Sequence, residues 1–370
     1  MGKHLVLAGG GHAHMVTLAN LHRIVEKGHK VTVIGPSAYH YYSGMGPGML
    51  SGTYTPEEIR FSTKHVVEKY GGTFILDMID SIDPKNKNLH LESGEVINYD
   101  VVSFNVGSHV PKSIVSEDSE NVFSVKPIER LLEAKKRIID LVSEKEAVFD
   151  IIGGGPAAAE IAGNIWQLIK IKGGKNNEIR IFAGKNFMSR FDERIKEKTV
   201  QSVTKRGIKI IEDGYVREIT TGEIVLESGK AYKSNFIILA VGVKPSEIFE
   251  KSGMPVGPDG GLLVNRYLQS TEYPEIFGGG DCIYFKDSPL DKVGVYAVRE
   301  NPILYNNLIA SLDGTELLSF DPGGDYLLIF NLGGNTGILK KKWMVHSGKA
   351  AFFIKDYIDR KFMKKFQSIE

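Results

Sequence analysis

The 370-residue sequence predicts an α/β protein made of two parallel-sheet units and a carboxyl-terminal segment. Three observations predict it. Short β-branched runs are each followed by a glycine cluster and then a helical stretch. This arrangement occurs twice, about 145 residues apart. The 41 glycines exceed the roughly 7% average and cluster rather than forming a repetitive tract. In the first unit, residues 4–8 form a strand, 9–11 a turn, and 12–26 a helix whose Met15, Leu18, Leu21 and Val25 fall three or four residues apart. Residues 30–34 are the next strand, and 73–83, 89–92 and 100–106 follow as strands. The second unit repeats the pattern with strand 147–152, turn 153–155, helix 156–171 and strand 178–183. Strand 236–241, ending at Gly242, has the form of strand 100–106 ending at Gly107. The Gly- and Pro-rich stretch 253–261 is the linker candidate, and 293–305 reads as a further helix.

With 42% hydrophobic and 25% charged residues the chain is long enough for two or three globular domains. The net charge of +1 argues against nucleic acid as a partner. It conceals an asymmetry: residues 340–370 hold nine Lys/Arg against three Asp/Glu. A single cysteine, Cys282, excludes an intrachain disulfide, a CxxC redox pair and a Cys-ligated zinc site, so any redox chemistry belongs to a bound cofactor. No run approaches the roughly 18 apolar residues of a membrane span. The apolar run 5–8 passes straight into glycines, so no secretory leader and a cytoplasmic location are expected.

A diphosphate can be held where a strand turns into a helix, because unpaired N–H groups and the helix dipole favour negative charge there. The turn needs residues without a Cβ, supplied by Gly9, Gly10 and Gly11 in the first unit and by Gly153 and Gly155 in the second. Two such turns imply two nucleotide sites. Both depart from the dinucleotide fingerprint: His14 and Ala158 stand where a third glycine is usual, and Gly35 and Ala183 stand near the acid that usually holds the ribose. Lys185 and Arg190 could pair with a 2′-phosphate or be solvated. His12 and His14 could touch the diphosphate or ribose or be spectators; two histidines alone do not make a metal site, and none is expected.

The segment 262–282, with Val264, Leu268, Gln269, Ser270, Pro274 and Ile276 leading to Gly280-Asp281, resembles the second flavin motif of the pyridine nucleotide–disulfide oxidoreductase superfamily. The resemblance extends to Asn105-Val106-Gly107-Ser108, to Ala240-Val241-Gly242, and to Gly153-Gly154-Gly155-Pro156-Ala157-Ala158-Ala159-Glu160. It implies two Rossmann-like three-layer domains: a discontinuous FAD domain (1–115 and 252–320), an NAD(P)H domain (116–251), and a segment 321–370. It implies that Asp281 bonds the ribityl chain of FAD and that Glu160 lies beside the nicotinamide and flavin, positioning the hydride donor or relaying a proton. For Glu160 a helix-surface or capping role is the competing reading. On the same basis Gly9, Gly10, Gly11, His12, Ala13, His14, Gly35, Pro36, Ser43, Gly44, Pro47, Ile79, Asn105, Val106, Gly107, Gly280, Asp281, Val295 and Tyr296 are expected at FAD. Gly153, Gly155, Pro156, Ala157 and Gly242 are expected at NAD(P)H.

The lone cysteine sets aside the disulfide-reductase and sulfide-oxidising branches and leaves those resembling type II NADH dehydrogenases, which pass electrons from NAD(P)H through FAD to a quinone-like acceptor. Residues 9–14, 42–48, 125–128, 294–300 and 355–363 look like the NADH-dehydrogenase-like flavoprotein module associated with selenophosphate synthetases. The loop 41–50, with four aromatic or methionine side chains and three glycines, could line the isoalloxazine. Tyr296 and Arg299 could border the acceptor pocket, or Arg299 could be solvated or ion-paired. Lys126 could face a phosphate or the flavin or be a surface lysine, and Cys282 could be a packed or a reactive thiol. Ile354, Ile358, Phe362 and Phe366 form an i+4 ridge next to Phe353 and Tyr357, with lysines and Arg360 around it. Such a segment (349–366) could meet the inner face of an anionic membrane, or dock on the flavin domain or a second copy in a homodimer. The rival functions are an oxidoreductase of sulfur or selenium species and a redox sensor that binds flavin and NAD without turnover.

Overall fold

The structure, a computed structural model, describes residues 2–116, 119–144 and 146–370. From the amino terminus β1 (His4–Ala8), helix α1 (Met15–Ala19), β2 (Lys30–Gly35), β3 (Thr73–Leu76) and β4 (Val101–Phe104) build most of a first sheet. The chain then forms β5 (Val122–Ser124), α2 (Arg130–Glu144), β6 (Val148–Ile152), α3 (Pro156–Ile171), β7 (Glu178–Phe182), α4 (Glu193–Thr204), β8 (Lys209–Ile211) and β9 (Phe236–Leu239). It returns through β10 (Ile276–Gly278) and α5 (Gly294–Asp313), and ends in a meander, β11 (Leu328–Asn331), β12 (Gly337–Lys341) and β13 (Met344–Gly348), followed by α6 (Lys349–Gln367).

The two five-stranded sheets share one topology, β10-β4-β1-β2-β3 and β5-β9-β6-β7-β8, and every pairing in them is parallel. Parallel strands covered on both faces need continuous apolar runs, and β4 and β9 are buried at every position. Each unit also carries a three-stranded antiparallel sheet, Ile79–Asp83 with Asn88–Leu91 and Val96–Asn98 in the first, Val216–Thr220 with Glu223–Leu226 and Ala231–Lys233 in the second. Even the turn bonds repeat: Gly9 N–H donates to Ile34 O at 2.8 Å and Gly153 N–H to Phe182 O at 2.9 Å.

Three sequence expectations change. The run 73–83 divides at Asp77-Met78, with β3 closing the parallel sheet and Ile79–Asp83 opening the antiparallel one. The expected helix over 12–26 is a 3-10 turn at His12–His14, then α1, then a separate helix Leu21–Glu26. At its break Asn20 caps α1: its backbone N–H donates to Val16 O at 3.1 Å and its side chain donates to the same carbonyl at 2.9 Å. The stretch 253–261 is a packed turn: Gly257 N–H donates to Gly261 O at 2.8 Å, and a Cβ on Gly257 would enter the Tyr284 ring.

Candidate functional site

One continuous cavity of 1920 Å³ lies along the carboxyl ends of both parallel sheets and is lined by the first glycine turn and by Pro156, Ala157 and Glu160, which follow the second. It is about twice the upper end of the roughly 300–1,000 Å³ of a small-molecule site, which leaves room for two extended ligands. Ligands of open α/β sheets bind at this edge.

The first turn is closed by its neighbours. Gly9 has φ +91°, and a Cβ there would collide with the Asn105 carbonyl. A Cβ on Gly10 would stand 2.6 Å from Thr63 Cγ2, and one on Gly11 would stand 2.7 Å from Asn105 Oδ1. Around this turn three buried side-chain atoms lack a partner: His12 Nε2, Thr63 Oγ1 and Asn105 Nδ2. All three residues line the cavity. Buried polar atoms are normally hydrogen-bonded, so their convergence fits a polar ligand laid across Gly10–His12.

Expected site residues divide into two groups. Gly9, Gly10, Gly11, His12, Gly35, Pro36, Ser43, Gly44, Ile79, Asn105, Val106, Gly107, Gly280, Asp281, Tyr296, Pro156, Ala157, Glu160 and Gly242 line the cavity. Ala13, His14, Pro47, Val295, Gly153 and Gly155 do not. Ala13 and His14 are fully buried behind the turn. The His14 Nδ1–H donates to Gly9 O at 2.6 Å, and its Nε2 accepts from Ser103 Oγ at 2.8 Å. Burial lowers its pKa to about 4, so the ring is neutral and ties β1 to β4 where a third glycine would only have allowed close packing. Pro47 is buried within the short helix Gly46–Ser51, and Val295 faces away from the opening on α5. Gly153 serves the backbone: a Cβ there would collide with Ala240 O. Gly155 differs, since a Cβ there would meet no protein atom within 4 Å.

Asp281 accepts from Lys126 Nζ at 2.7 Å and Ser108 Oγ at 2.8 Å. Burial pushes its carboxyl up, but Lys126 and Ser108 outweigh burial and hold it below the usual value. Lys126 is therefore an ion-paired wall of the cavity rather than a surface lysine. The next residue, Cys282, is buried, with Sγ directed at the Phe104 and Gly279 carbonyls, and burial pushes its thiol up to about 12. Glu300 on α5 accepts from Gly280 N–H, and burial pushes it up to about 7.

Glu160, at the start of the second turn of α3, accepts from Asn331 N–H at 2.7 Å. Burial pushes its carboxyl up to about 7 against the pull of Lys355 and the Asn331 N–H. The carboxylate lines the cavity and ties α3 to β11 rather than standing at the helix surface or capping the helix. Lys355, expected among the lysines around the carboxyl-terminal ridge, instead reaches the cavity from α6 and donates to Gly44 O at 2.8 Å and to Asp359 at 2.7 Å. Tyr42 OH donates to Asp359 at 3.1 Å. Thr63, His40 and Tyr326 also line the cavity and were not anticipated. Arg190 lines it, whereas Lys185 lies over the Tyr215 ring at 5.9 Å. Arg299 is engaged away from it, donating to Pro322 O and Gly324 O.

The amphipathic ridge divides. Phe366 is buried and Phe362 packs at 5.0 Å from both Phe366 and Tyr42, so this end of α6 docks on the first domain. Phe353 (57% exposed), Ile354, Tyr357 (66%) and Ile358 remain outside, as do Trp343 (76%) between β12 and β13 and Met344 at the start of β13. Among the described residues no helix is long and apolar enough to cross a membrane, and no group of three metal-ligating side chains occurs.

Comparison with known proteins agrees with this geometry. The mitochondrial internal alternative NAD(P)H-ubiquinone oxidoreductase A1 of Arabidopsis thaliana is 24% identical over 126 residues, covering 33% of this chain and 24% of that protein. The sulfide-quinone reductase of Aquifex aeolicus is 29% identical over 143 residues, covering 38% and 32%. The matched stretches therefore span about a quarter to a third of these curated relatives. The structure of NDH2 from Plasmodium falciparum in complex with NADH superposes with a TM-score of 0.83 at 16% identity, over 99% of this chain and 98% of that one, which shows a shared fold. Residues 3–302 match the pyridine nucleotide-disulphide oxidoreductase family. That match takes in both glycine turns and the Gly280-Asp281 motif, and the chain belongs to this family of oxidoreductases, with FAD as cofactor and NAD(P)H as co-substrate.

Proposed function

We propose that the protein is a dehydrogenase that oxidises NAD(P)H through FAD and reduces a quinone-like acceptor. The observation that carries this reading is the single cavity that runs from the first turn, closed and rich in unpartnered polar atoms, to Pro156 and Ala157 just after the second, open one. FAD is placed against Gly9–His12, Asn105, Thr63 and Gly280-Asp281, and the nicotinamide nucleotide against Gly155, Pro156, Ala157 and Gly242. When bound, FAD supplies two-electron chemistry with NAD(P)H and electron release to the acceptor. The chain's own groups hold and orient. Lys126 keeps Asp281 ionised as an acceptor for ligand hydroxyls. Glu160, poised near neutrality, can hold or release a proton at its carboxylate beside Lys355.

A quinone-like acceptor is favoured over sulfur or selenium species because the only cysteine is buried and inert. The NAD(P)H-ubiquinone oxidoreductase among the relatives supports the same choice. We place peripheral membrane contact at the exposed aromatic face of α6 and the β12–β13 turn, where Lys341 and Lys342 add positive charge. Anaerobic titration of the purified protein with NADH or NADPH is expected to bleach the visible flavin band, and a soluble quinone is expected to restore it. No bleaching would leave a redox sensor, and reoxidation by sulfur or selenium compounds alone would reject the quinone. Phe353→Ser with Tyr357→Ser is expected to abolish sedimentation with anionic liposomes. Unchanged sedimentation, or loss of a dimer instead, would move that face to another role.

A further inference from the structure

Two histidines at the first turn, the buried His12 and the half-buried His40, meet in a way that the reading above does not use. His12 is 8% exposed, and His40 reaches the same wall from the strand His40–Tyr41. Their rings meet edge to face with centroids 4.8 Å apart, and His40 Nε2 lies 3.3 Å from His12 Nδ1. His12 is also stacked on Phe362 of α6 at 5.7 Å and packed against Tyr42 at 5.1 Å. These contacts fix its plane and leave Nε2 buried without a partner on a cavity-lining residue.

A neutral imidazole carries one proton, so the bond between the rings decides which nitrogen of His12 is free to donate. If His40 Nε2–H donates, His12 Nδ1 accepts and His12 Nε2–H donates outward; the reverse leaves Nε2 an acceptor. The neighbouring unpartnered atoms favour the first arrangement, since Asn105 Nδ2 is a donor and the Thr63 hydroxyl can donate. Three donors converging beside Gly10 and Gly11 suit a ligand that presents only acceptor oxygens there.

We propose that His12 is a neutral hydrogen-bond donor, through Nε2–H, to the diphosphate of bound FAD, with His40 as the positioning residue that selects this tautomer. The proposal rests on placing FAD at the first turn. A neutral donor suits this position because the charged form would have to survive burial beside Lys126; burial lowers His12 to about 4, with Asp281 opposing. The stack on Phe362 also makes α6 part of the flavin site, linking the segment that bears the exposed aromatic face to the hold on the cofactor.

The test uses the full-length holoprotein. Nitrogen-proton correlation spectra of histidine-labelled protein should show His12 as the Nε2–H tautomer, with its Nε2 shift moving when FAD is removed. FAD affinity, read by flavin fluorescence quenching, should fall about tenfold in His12→Phe and stay within about threefold in His12→Gln, whose amide can donate. His40→Phe should lower affinity by a smaller factor and mix the two tautomers. A His12 Nδ1–H tautomer in the wild-type holoprotein, or a His12→Phe variant with wild-type affinity, would overturn the assignment while leaving FAD at the first turn. Wild-type protein whose Asn105 and His12 resonances ignore FAD would instead overturn the placement, and the assignment with it.

Discussion

The two glycine turns start from the same strand bond and end in different environments. At the first, all three glycines are packed against protein atoms, the following helix is short and broken, and Asn105, Thr63 and His12 crowd the opening. At the second, Gly153 and Gly154 are needed by the backbone, but Gly155 faces open space and begins the 16-residue α3. A site walled by side chains from distant segments can hold a ligand through many contacts. An open turn at a regular helix start offers backbone N–H groups and little else. The difference suits a resident cofactor at the first turn and an exchanging co-substrate at the second, as affinity follows the number of well-made, preorganised contacts.

Substituting the glycines should break this contrast most sharply. Gly9→Val forces a side chain at φ +91° into the Asn105 carbonyl and should yield flavin-free, destabilised protein. Gly155→Val meets no protein atom, so flavin content and melting temperature should stay unchanged while the KM for NAD(P)H rises by roughly ten- to a hundredfold. Flavin loss in Gly155→Val, or retention in Gly9→Val, would show that the turns have been assigned the wrong ligands. Flavin absorbance after gel filtration and steady-state kinetics read both.

Glu160 tests the second unit by pH. Its carboxyl is raised from 4.5 to about 7 by burial, so the folded chain binds this proton more tightly than the unfolded chain does. Its contribution is favourable at low pH and is lost as pH rises from about 4.5 through 7. Glu160→Gln removes that slope. Compared with the wild type, the variant should gain about 2 kcal/mol of relative stability between roughly pH 5 and pH 9, less than full linkage because the carboxylate borders the cavity. Denaturant unfolding at the two pH values checks it. A constant difference would mean that Asn331 and Lys355 already hold Glu160 ionised.

Most of the frame was legible in the sequence because its signals are local. Apolar runs and glycine triplets mark β1, β6 and the two turns within a dozen residues, and Pro156–Ile171 is a helix over the span expected from its pattern. What was missed comes from elsewhere in the chain. Lys355 meets Gly44 across 311 positions, and Asp281 meets Lys126 across 155. No periodicity reports such pairings, so nothing in the sequence separates Lys126 from a surface lysine. Histidine in place of the third glycine misleads similarly: His14 looks like a ligand contact until its two bonds, to Gly9 and Ser103, are seen to consume both ring nitrogens. The carboxyl-terminal ridge was recognised as amphipathic, but docking of Phe362 and Phe366 leaves only its first half exposed.

Lys126→Met gives the finest distinction between the turns, because it alters the first site without touching its glycines. Lys126 and Ser108 keep Asp281 ionised despite its burial. Without the lysine, burial is opposed only by Ser108 and by the charge of Lys292, and the pKa of the carboxyl should rise. Asp281 would then protonate at a higher pH and lose strength as an acceptor for FAD hydroxyls. FAD affinity should fall about tenfold at neutral pH, the worth of one charge-assisted bond, and the variant should shed flavin at a higher pH than the wild type on acidification. The KM for NAD(P)H of the flavin-loaded fraction should not change, since Gly155, Pro156 and Ala157 keep their places on α3. A rise in that KM with intact flavin binding would put Lys126 at the second ligand and erase the division between a held cofactor and an exchanging one.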